Sequence, residues 1–269
     1  RDDKFFAAGD DGTVLALDAT TGRELWRAQA GAKLSAGVGS DGRFAAVVTR
    51  DNELVVFDAG NAAWRARLPA RTLTAPLIAG ERVFTMSVDR VVQAFDVLDG
   101  RRLWTMQRTG EPLTLGQGSV LAAYKDTLLV GQGPRLTGVD PLRGTVRWEV
   151  AVGSPRGSNE VERLADLIGP AARFGSTFCV RSFQSAVGCV DAEQGVLRWS
   201  RNIGGLQSVG GDDTVLVGAD ASDRITAWRQ GTGEVAWANE KFLHRSLSGP
   251  MGAGKAIVFG DYEGQLHFF

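Results

Sequence analysis

Six tryptophans recur along this chain of 269 residues, and each has a glycine four positions before it. The six are Trp26, Trp64, Trp104, Trp148, Trp199 and Trp237. Successive copies lie 38 to 51 residues apart, and five of them follow a short apolar or β-branched run that ends on aspartate. A period of about 40 residues built from strand-like segments is typical of propeller blades, whereas helical solenoids show apolar residues at three- to four-residue spacing.

The third repeat shows how one such unit divides into strands. RVFTMSV and VVQAFDV flank a turn at Asp89 and Arg90, and a second turn at Gly100 leads into RRLWTMQ. LTAPLIA at residues 73–79 supplies a fourth, innermost strand. The pattern therefore predicts an all-β fold, a β-propeller of four-stranded antiparallel blades.

The repeated residues have a structural interpretation. Glycine supplies the positive φ of a turn, and the aspartate before it can accept hydrogen bonds from the turn backbone. Tryptophan on the outer strand is large enough to fill the space between neighbouring blades, and its indole N–H can reach a backbone carbonyl. A residue type that recurs in every repeat serves the repeat, so we assign all six tryptophans a structural role.

Composition excludes several classes of protein. Thirty basic residues stand against 31 acidic ones, and no basic run or basic-aromatic stripe appears, so no nucleic-acid partner is expected. No stretch approaches the roughly 20 consecutive apolar residues of a membrane-spanning helix. The 35 glycines and 43% apolar residues suit many short strands joined by tight turns.

The two cysteines, Cys179 and Cys189, lie in one predicted hairpin and lack the paired spacing of a zinc site. A turn symmetric about Gln184 would place them opposite each other, where they can form a disulfide. A turn centred on Gln184 and Ser185 would direct them to opposite faces of the sheet. Both registers are compatible with the sequence.

The repeat ALDATTGRELW at residues 16–26 resembles that of pyrroloquinoline-quinone-type propellers. This superfamily includes quinoprotein dehydrogenases, sensor domains and the BamB family of outer-membrane protein assembly factors. Three further stretches are similar to the BamB family in particular, at matching places in the order of blades. They are GSNEVERLADL at 157–167, FLHRSLSGP at 242–250 and GDYEGQLHFF at 260–269.

That resemblance implies eight blades in the intact protein, of which about seven are represented here. We expect a single β-propeller domain over residues 1–269, incomplete at both ends. The predicted divisions are a partial blade at 1–31, blades at 32–69, 70–109, 110–152, 170–203 and 204–241, and a partial blade at 242–269. The resemblance also implies a lipoprotein on the periplasmic face of the outer membrane of a Gram-negative bacterium, with an N-terminal lipid anchor absent from this sequence.

Enzymatic chemistry is not predicted. The dehydrogenases that this repeat resembles use a quinone, a calcium ion and characteristically a pair of adjacent cysteines, and this chain has no adjacent cysteines. Its two histidines, His244 and His267, do not form a recognisable triad or zinc motif. We therefore predict no catalytic residues, no cofactor and no metal. The alternative is a fragment of a quinoprotein dehydrogenase or of a ligand-sensing propeller.

Two connections between blades stand out as candidate binding loops. Residues 109–118, TGEPLTLGQG, carry Leu113 and Leu115, which either pack on the neighbouring blade or contact a partner. Residues 153–169, GSPRGSNEVERLADLIG, form the longest connection. There, apolar residues at three- and four-residue spacing predict a short helical turn that covers the propeller. These residues are Val161, Leu164 and Ile168.

By the resemblance, these two loops form the surface that binds the POTRA domains of BamA, the central subunit of the barrel-assembly machinery. Leu113 and Leu115 match a Leu-x-Leu pair, whereas Gly116 stands where the family has an arginine. Asp166 matches the first aspartate of an acidic pair, and Ile168 lies near the place of the second. Glu160 and Arg163 match supporting positions, although they can also pair with each other. Unfolded outer-membrane proteins are implied as further partners.

Overall fold

The computed structural model describes residues 3–108, 113–253 and 256–269, and every regular element in these ranges is a β-strand. The strands form antiparallel sheets in which consecutive strands are neighbours. This is the meander predicted for propeller blades. Nothing in the described ranges forms a helix with the length and apolar character needed to cross a membrane.

The first three sheets contain three, four and four strands. The first comprises β1 (Lys4–Ala8), β2 (Thr13–Asp18) and β3 (Glu24–Gln29). The second comprises β4 (Gly39–Ser40), β5 (Phe44–Val48), β6 (Glu53–Asp58) and β7 (Asn61–Arg67). The third comprises β8 (Leu77–Ala79), β9 (Arg82–Met86), β10 (Val92–Asp96) and β11 (Arg102–Met106).

Four more sheets follow, the last of them three-stranded in the described residues. The fourth comprises β12 (Leu121–Tyr124), β13 (Thr127–Gln132), β14 (Arg135–Val139) and β15 (Val146–Ala151). The fifth comprises β16 (Leu167–Phe174), β17 (Thr177–Ser182), β18 (Ala186–Asp191) and β19 (Val196–Arg201). The sixth comprises β20 (Gly210–Gly211), β21 (Val215–Ala219), β22 (Ile225–Arg229) and β23 (Val235–Asn239), and the seventh β24 (Met251–Ala253), β25 (Ala256–Gly260) and β26 (Leu266–Phe268).

The chain is organised as two compact units. The first consists of Arg1–Thr109, Gly116–Ala123 and Asp140–Thr145. The second consists of Gly110–Leu115, Tyr124–Val139 and Val146–Phe269. The single-domain assignment and its blade divisions remain predictions. The strands of each sheet lie within one predicted division except in the fifth, where β16 begins at Leu167, three residues before the predicted start.

The core lies between sheets. The middle strands β5, β17 and β18 are buried along their whole length, whereas the outer strand β7 exposes most of its residues. A strand that is covered on both faces has apolar residues at successive positions. This is why the sequence of β5, FAAVV, does not alternate between apolar and polar residues. The outer strand of each repeat carries the tryptophan.

The repeated glycines and tryptophans act as the sequence predicts. All six glycines have positive φ, between 68° and 90°. The indole N–H of Trp64 donates to the carbonyl of Val97 at 2.8 Å, that of Trp104 to Pro141 at 2.9 Å, and that of Trp199 to Gln230 at 2.8 Å. Each of these three tryptophans thus hydrogen-bonds the turn of the following repeat.

The repeated aspartates accept hydrogen bonds in their turns, with one exception. Asp18, Asp96, Asp140 and Asp191 each accept at least one backbone N–H through Oδ1. In the second repeat the aspartate is only two residues from the glycine, so this turn is shorter. The carboxylate of Asp58 instead accepts hydrogen bonds from Nε and Nη2 of Arg43, at 2.8 and 2.6 Å.

The hairpin of β17 and β18 resolves the question of the two cysteines. Ser182 is paired with Ala186, so the turn is symmetric about Gln184, which has a φ of 49°. Cys179 and Cys189 are therefore opposite each other, and they form a disulfide. Both are completely buried beside Trp199.

Candidate partner-binding site

The two candidate loops meet at Asp166 and Leu115. The backbone N–H of Leu115 donates a hydrogen bond to Asp166 Oδ2 at 2.9 Å, across 51 residues of sequence. The contact is partly buried, where a hydrogen bond to a charged acceptor is stronger than in open water. The structure therefore joins the Leu-x-Leu loop and the long connection, which the sequence singled out separately.

The backbone on either side of Asp166 is fixed by the ends of neighbouring strands. The Asp166 carbonyl accepts the N–H of Phe183 at 2.9 Å. The N–H of Leu167 donates to the carbonyl of Gly133 at 2.8 Å. The hydroxyl of Ser182 donates to the carbonyl of Ala165 at 2.6 Å, in a buried position. Asp166 consequently projects from a rigid part of the fold, although it lies just before β16.

The Leu-x-Leu loop presents one leucine to solvent. Leu113 has 36% of its surface exposed, and Leu115 is half-buried. Gly116 is exposed, and a Cβ added to it would have no atom within 4 Å. Residues 109–112, the first part of the predicted loop, lie outside the described residues. The position at which the resemblance predicts an arginine thus has space for a Cβ.

A turn stabilised by Glu162 lies within the long connection. The backbone N–H of Ser158 donates to Glu162 Oε2 at 2.8 Å, and the N–H of Glu162 donates to Asn159 Oδ1 at 2.9 Å. This reciprocal pattern resembles a helix capping box. The Ser158 hydrogen bonds lower the pKa of the Glu162 carboxyl, because they favour its charged form. Glu162 was not among the predicted site residues, yet Asn-x-x-Glu is a signal that the sequence contains.

One turn forms in the long connection, where the N–H of Arg163 donates to the carbonyl of Asn159 at 3.2 Å, but the predicted inward apolar face is wrong. Residues 161–163 form only a turn, and Val161 points outward with 68% of its surface exposed. Ile168 is only 2% exposed because it belongs to β16, where it pairs with Arg181. The apparent helical spacing therefore spans a turn and a strand.

The predicted supporting residues differ in their surroundings. Glu160 is exposed and Arg163 is half-buried. Ile168, near the place of the second family aspartate, is enclosed in the core and offers no side chain to a partner. The residues that the structure brings together in this region are therefore Leu115 and Asp166, with Leu113 two positions before the contact.

A buried arginine lies in β17 and was missed by sequence reasoning. Arg181 is completely buried, and its Nη1 donates to the carbonyls of Ile203 and Gly204 at 3.2 and 3.0 Å. Burial lowers its pKa to about 10, because desolvation disfavours the charged form, and the charge of Asp220 opposes the shift. Nothing in RSF at residues 181–183 distinguishes this arginine from a surface one.

A compact ionic cluster lies in the last sheet. Asp261 Oδ2 accepts a hydrogen bond from Arg245 Nε at 2.8 Å. The same oxygen lies 2.9 Å from His267 Nε2. Its Oδ1 accepts the backbone N–H groups of Glu263 and Gln265 at 3.0 Å each. Within the described ranges, no group of three or more His, Cys, Asp or Glu side chains is arranged to hold a metal ion.

Comparison with known proteins identifies the family. The sequence profile described as "Outer membrane protein assembly factor BamB" matches residues 10–239 of this chain. The chain belongs to the BamB family. A BamB from Bordetella pertussis is 33% identical over 269 residues, which are 99% of this chain and 70% of the relative. A BamB from Burkholderia pseudomallei is 34% identical over 269 residues, covering 99% of this chain and 71% of that protein.

Solved structures agree with this fold. The crystal structure of BamB from Moraxella catarrhalis is similar with a TM-score of 0.89, at 24% identity, over 99% of this chain and 82% of the other. The computationally designed Ika8 protein has a TM-score of 0.74 at 15% identity, over 100% and 81% of the two chains. The predicted fold class is confirmed: an all-β propeller of four-stranded antiparallel blades, about seven of which are represented.

Proposed function

We propose that this protein is a non-enzymatic periplasmic scaffold of the β-barrel assembly machinery, which binds BamA POTRA domains. Its relatives from Bordetella pertussis and Burkholderia pseudomallei are named outer membrane protein assembly factors. The protein orients POTRA domains and thereby assists delivery and insertion of unfolded outer-membrane β-barrel proteins. A lipid anchor on the intact protein holds it at the periplasmic face of the outer membrane.

The single observation that carries the proposal is the Asp166–Leu115 hydrogen bond. It joins the two loops that the family resemblance assigns to POTRA binding. Loops on a rigid scaffold commonly carry binding residues, because the strands beneath them fix their position. Leu113 and the exposed Val161 add apolar surface in the same two loops. Protein-binding surfaces commonly combine an apolar centre with a polar rim.

The disulfide supports the proposed compartment. Cys179 and Cys189 are joined within one hairpin. Disulfides persist in oxidising compartments such as the bacterial periplasm and are rare in the cytosol. A periplasmic location also suits a factor that meets outer-membrane proteins before they insert.

The binding contact is expected to be mainly apolar. The resemblance implies an arginine next to the leucine pair and a second aspartate near position 168. This chain has Gly116 and Ile168 there, so it lacks both charges. Exposed ion pairs contribute little to affinity, whereas a leucine that is buried on binding contributes about 1.5 to 3 kcal/mol. Leu113 and Leu115 should therefore carry more of the affinity than any charged residue.

Calorimetry with the POTRA domains of BamA from the same organism tests the proposal. We expect Leu115→Ala to weaken binding by about tenfold or more. Leu98→Ala is the matched control, because Leu98 is 68% exposed but lies in the turn between β10 and β11. It should bind like the wild type. Absence of binding by the folded wild-type protein, or equal losses in the two variants, would overturn the proposal.

A further inference from the structure

We propose that Asp166 is a positioning residue: its carboxylate holds Leu115, and with it the Leu-x-Leu pair, in the conformation that POTRA binding uses, a role that rests on the proposed function. The family resemblance leads one to expect an acidic side chain that meets the partner. The geometry instead points to a carboxylate that acts inside the protein. Asp166 is half-buried, and its Oδ2 receives the Leu115 N–H at 2.9 Å.

The loop needs such a support because it cannot fix its own conformation. The sequence after Leu115 is Gly-Gln-Gly, and glycine has more backbone freedom to lose than any other residue. No strand of the described residues includes positions 113–120. A hydrogen bond from outside the loop therefore removes conformations in which the leucines point elsewhere. Fixing them before binding lowers the entropy lost when the partner docks.

Asp166 is suited to this role because its own backbone is held. The bonds from Phe183 to the Asp166 carbonyl and from Leu167 to Gly133 flank it on both sides. The buried Ser182 hydroxyl fixes the preceding carbonyl, that of Ala165. Because the backbone of Asp166 is held by the sheet, its carboxylate holds the Leu115 N–H at a fixed place relative to that sheet. A freely rotating acid at the surface would attract a partner but would not order Leu115.

Asp166→Asn and Asp166→Ala separate positioning from a direct charge contact. Asparagine keeps an oxygen that accepts the Leu115 N–H but removes the negative charge, whereas alanine removes both. We expect hydrogen exchange of the Leu115 amide, followed by NMR in the protein without partner, to be about tenfold or more faster in Asp166→Ala. In Asp166→Asn the increase should be smaller than in Asp166→Ala, because a neutral oxygen still accepts the Leu115 N–H.

POTRA affinity should follow the same order, with a large loss for alanine and a smaller loss for asparagine. Asp213→Ala is the control, because Asp213 is an exposed carboxylate in the turn between β20 and β21. It should change neither the Leu115 exchange nor the affinity. Equal affinity losses in the asparagine and alanine variants, with the amide still protected in asparagine, would overturn positioning and indicate a direct charge contact.

Leu115 amide exchange and POTRA affinity test the positioning role and the proposed function separately. Unchanged Leu115 exchange in Asp166→Ala would overturn the positioning role whatever the affinities are. Absence of POTRA binding by the wild-type protein would overturn the proposed function. Exchange measured in the free protein would still show whether Asp166 orders the loop.

Discussion

Gly144 lies directly against the indole ring of Trp104, so a Cβ added to this glycine would come within 2.7 Å of the ring. The same relationship joins the glycine of each later repeat to the tryptophan of the repeat before it. The other pairs are Gly60 with Trp26, Gly100 with Trp64, Gly195 with Trp148 and Gly233 with Trp199. The glycine therefore shapes its own turn and also admits the neighbouring tryptophan. These two demands are combined in one residue in every repeat after the first.

Replacing Gly144 should cost more than replacing the equivalent Gly22. Both have positive φ, 72° and 70°, but a Cβ on Gly22 would have no atom within 4 Å. Gly22→Ala should lower the free energy of unfolding by about 1 kcal/mol from backbone strain alone. Gly144→Ala adds overlap with Trp104 and should cost about 2 to 4 kcal/mol. Chemical denaturation of both variants measures the difference, and equal losses would show that the turn alone requires glycine.

Removing the disulfide should destabilise the protein. The bridge closes a loop with a sequence separation of 10, for which the chain-entropy estimate is about 2 to 3 kcal/mol. Cys179→Ala with Cys189→Ala should therefore lower the free energy of unfolding by at least this amount, because two buried side chains also become smaller. Denaturation with and without reductant measures the effect. Reductant should change the wild type and leave the double variant unaffected, and a response of the double variant would contradict the assignment.

Asp261 should stabilise the protein above its ordinary pKa and lose that effect in acid. Its hydrogen bonds with His267 and the backbone, together with Arg245, hold the pKa of this carboxyl far below its ordinary value. The folded state therefore binds this proton less readily than the unfolded chain, so the stabilisation is present above about pH 4 and declines as pH falls toward the folded pKa.

Asp261→Asn tests this dependence, because it resembles the protonated acid in shape and lacks its charge. The melting temperature of the variant should lie below that of the wild type at pH 6, and the difference should narrow by pH 3. Asp213→Asn, at an exposed turn position, provides the comparison. A difference in melting temperature that stays constant with pH would contradict an ionic role for Asp261.

Placing an arginine at Gly116, where the resemblance predicts one, should leave the fold intact. Gly116 is exposed, a Cβ added to it would have no atom within 4 Å, and its φ is not in the left-handed region, so Gly116→Arg should change the free energy of unfolding by no more than about 0.5 kcal/mol. Because the leucines carry the proposed contact, POTRA affinity should change by less than about threefold. A much tighter, strongly salt-dependent complex would show instead that the partner retains an acidic contact for this position.

The local pattern of the sequence was sufficient for the blades and their turns. A glycine four residues before each tryptophan, with strand-like runs before and after, fixes an antiparallel hairpin because turn geometry and side-chain alternation act over only a few residues. The indole N–H bonds of Trp64, Trp104 and Trp199 follow from the same repeat. The resemblance could also assign Leu115 and Asp166 to one surface, but not the hydrogen bond between them.

The tertiary structure decided the contacts between segments that are distant along the chain. It brought Asp166 to the Leu115 N–H and placed Ile168 inside β16. It also placed Gly144 against Trp104. Periodicity cannot specify these contacts, because they depend on how whole sheets pack against one another and not on the dihedral preferences of neighbouring residues. The repeat thus determines the blade, and packing determines which side chains meet.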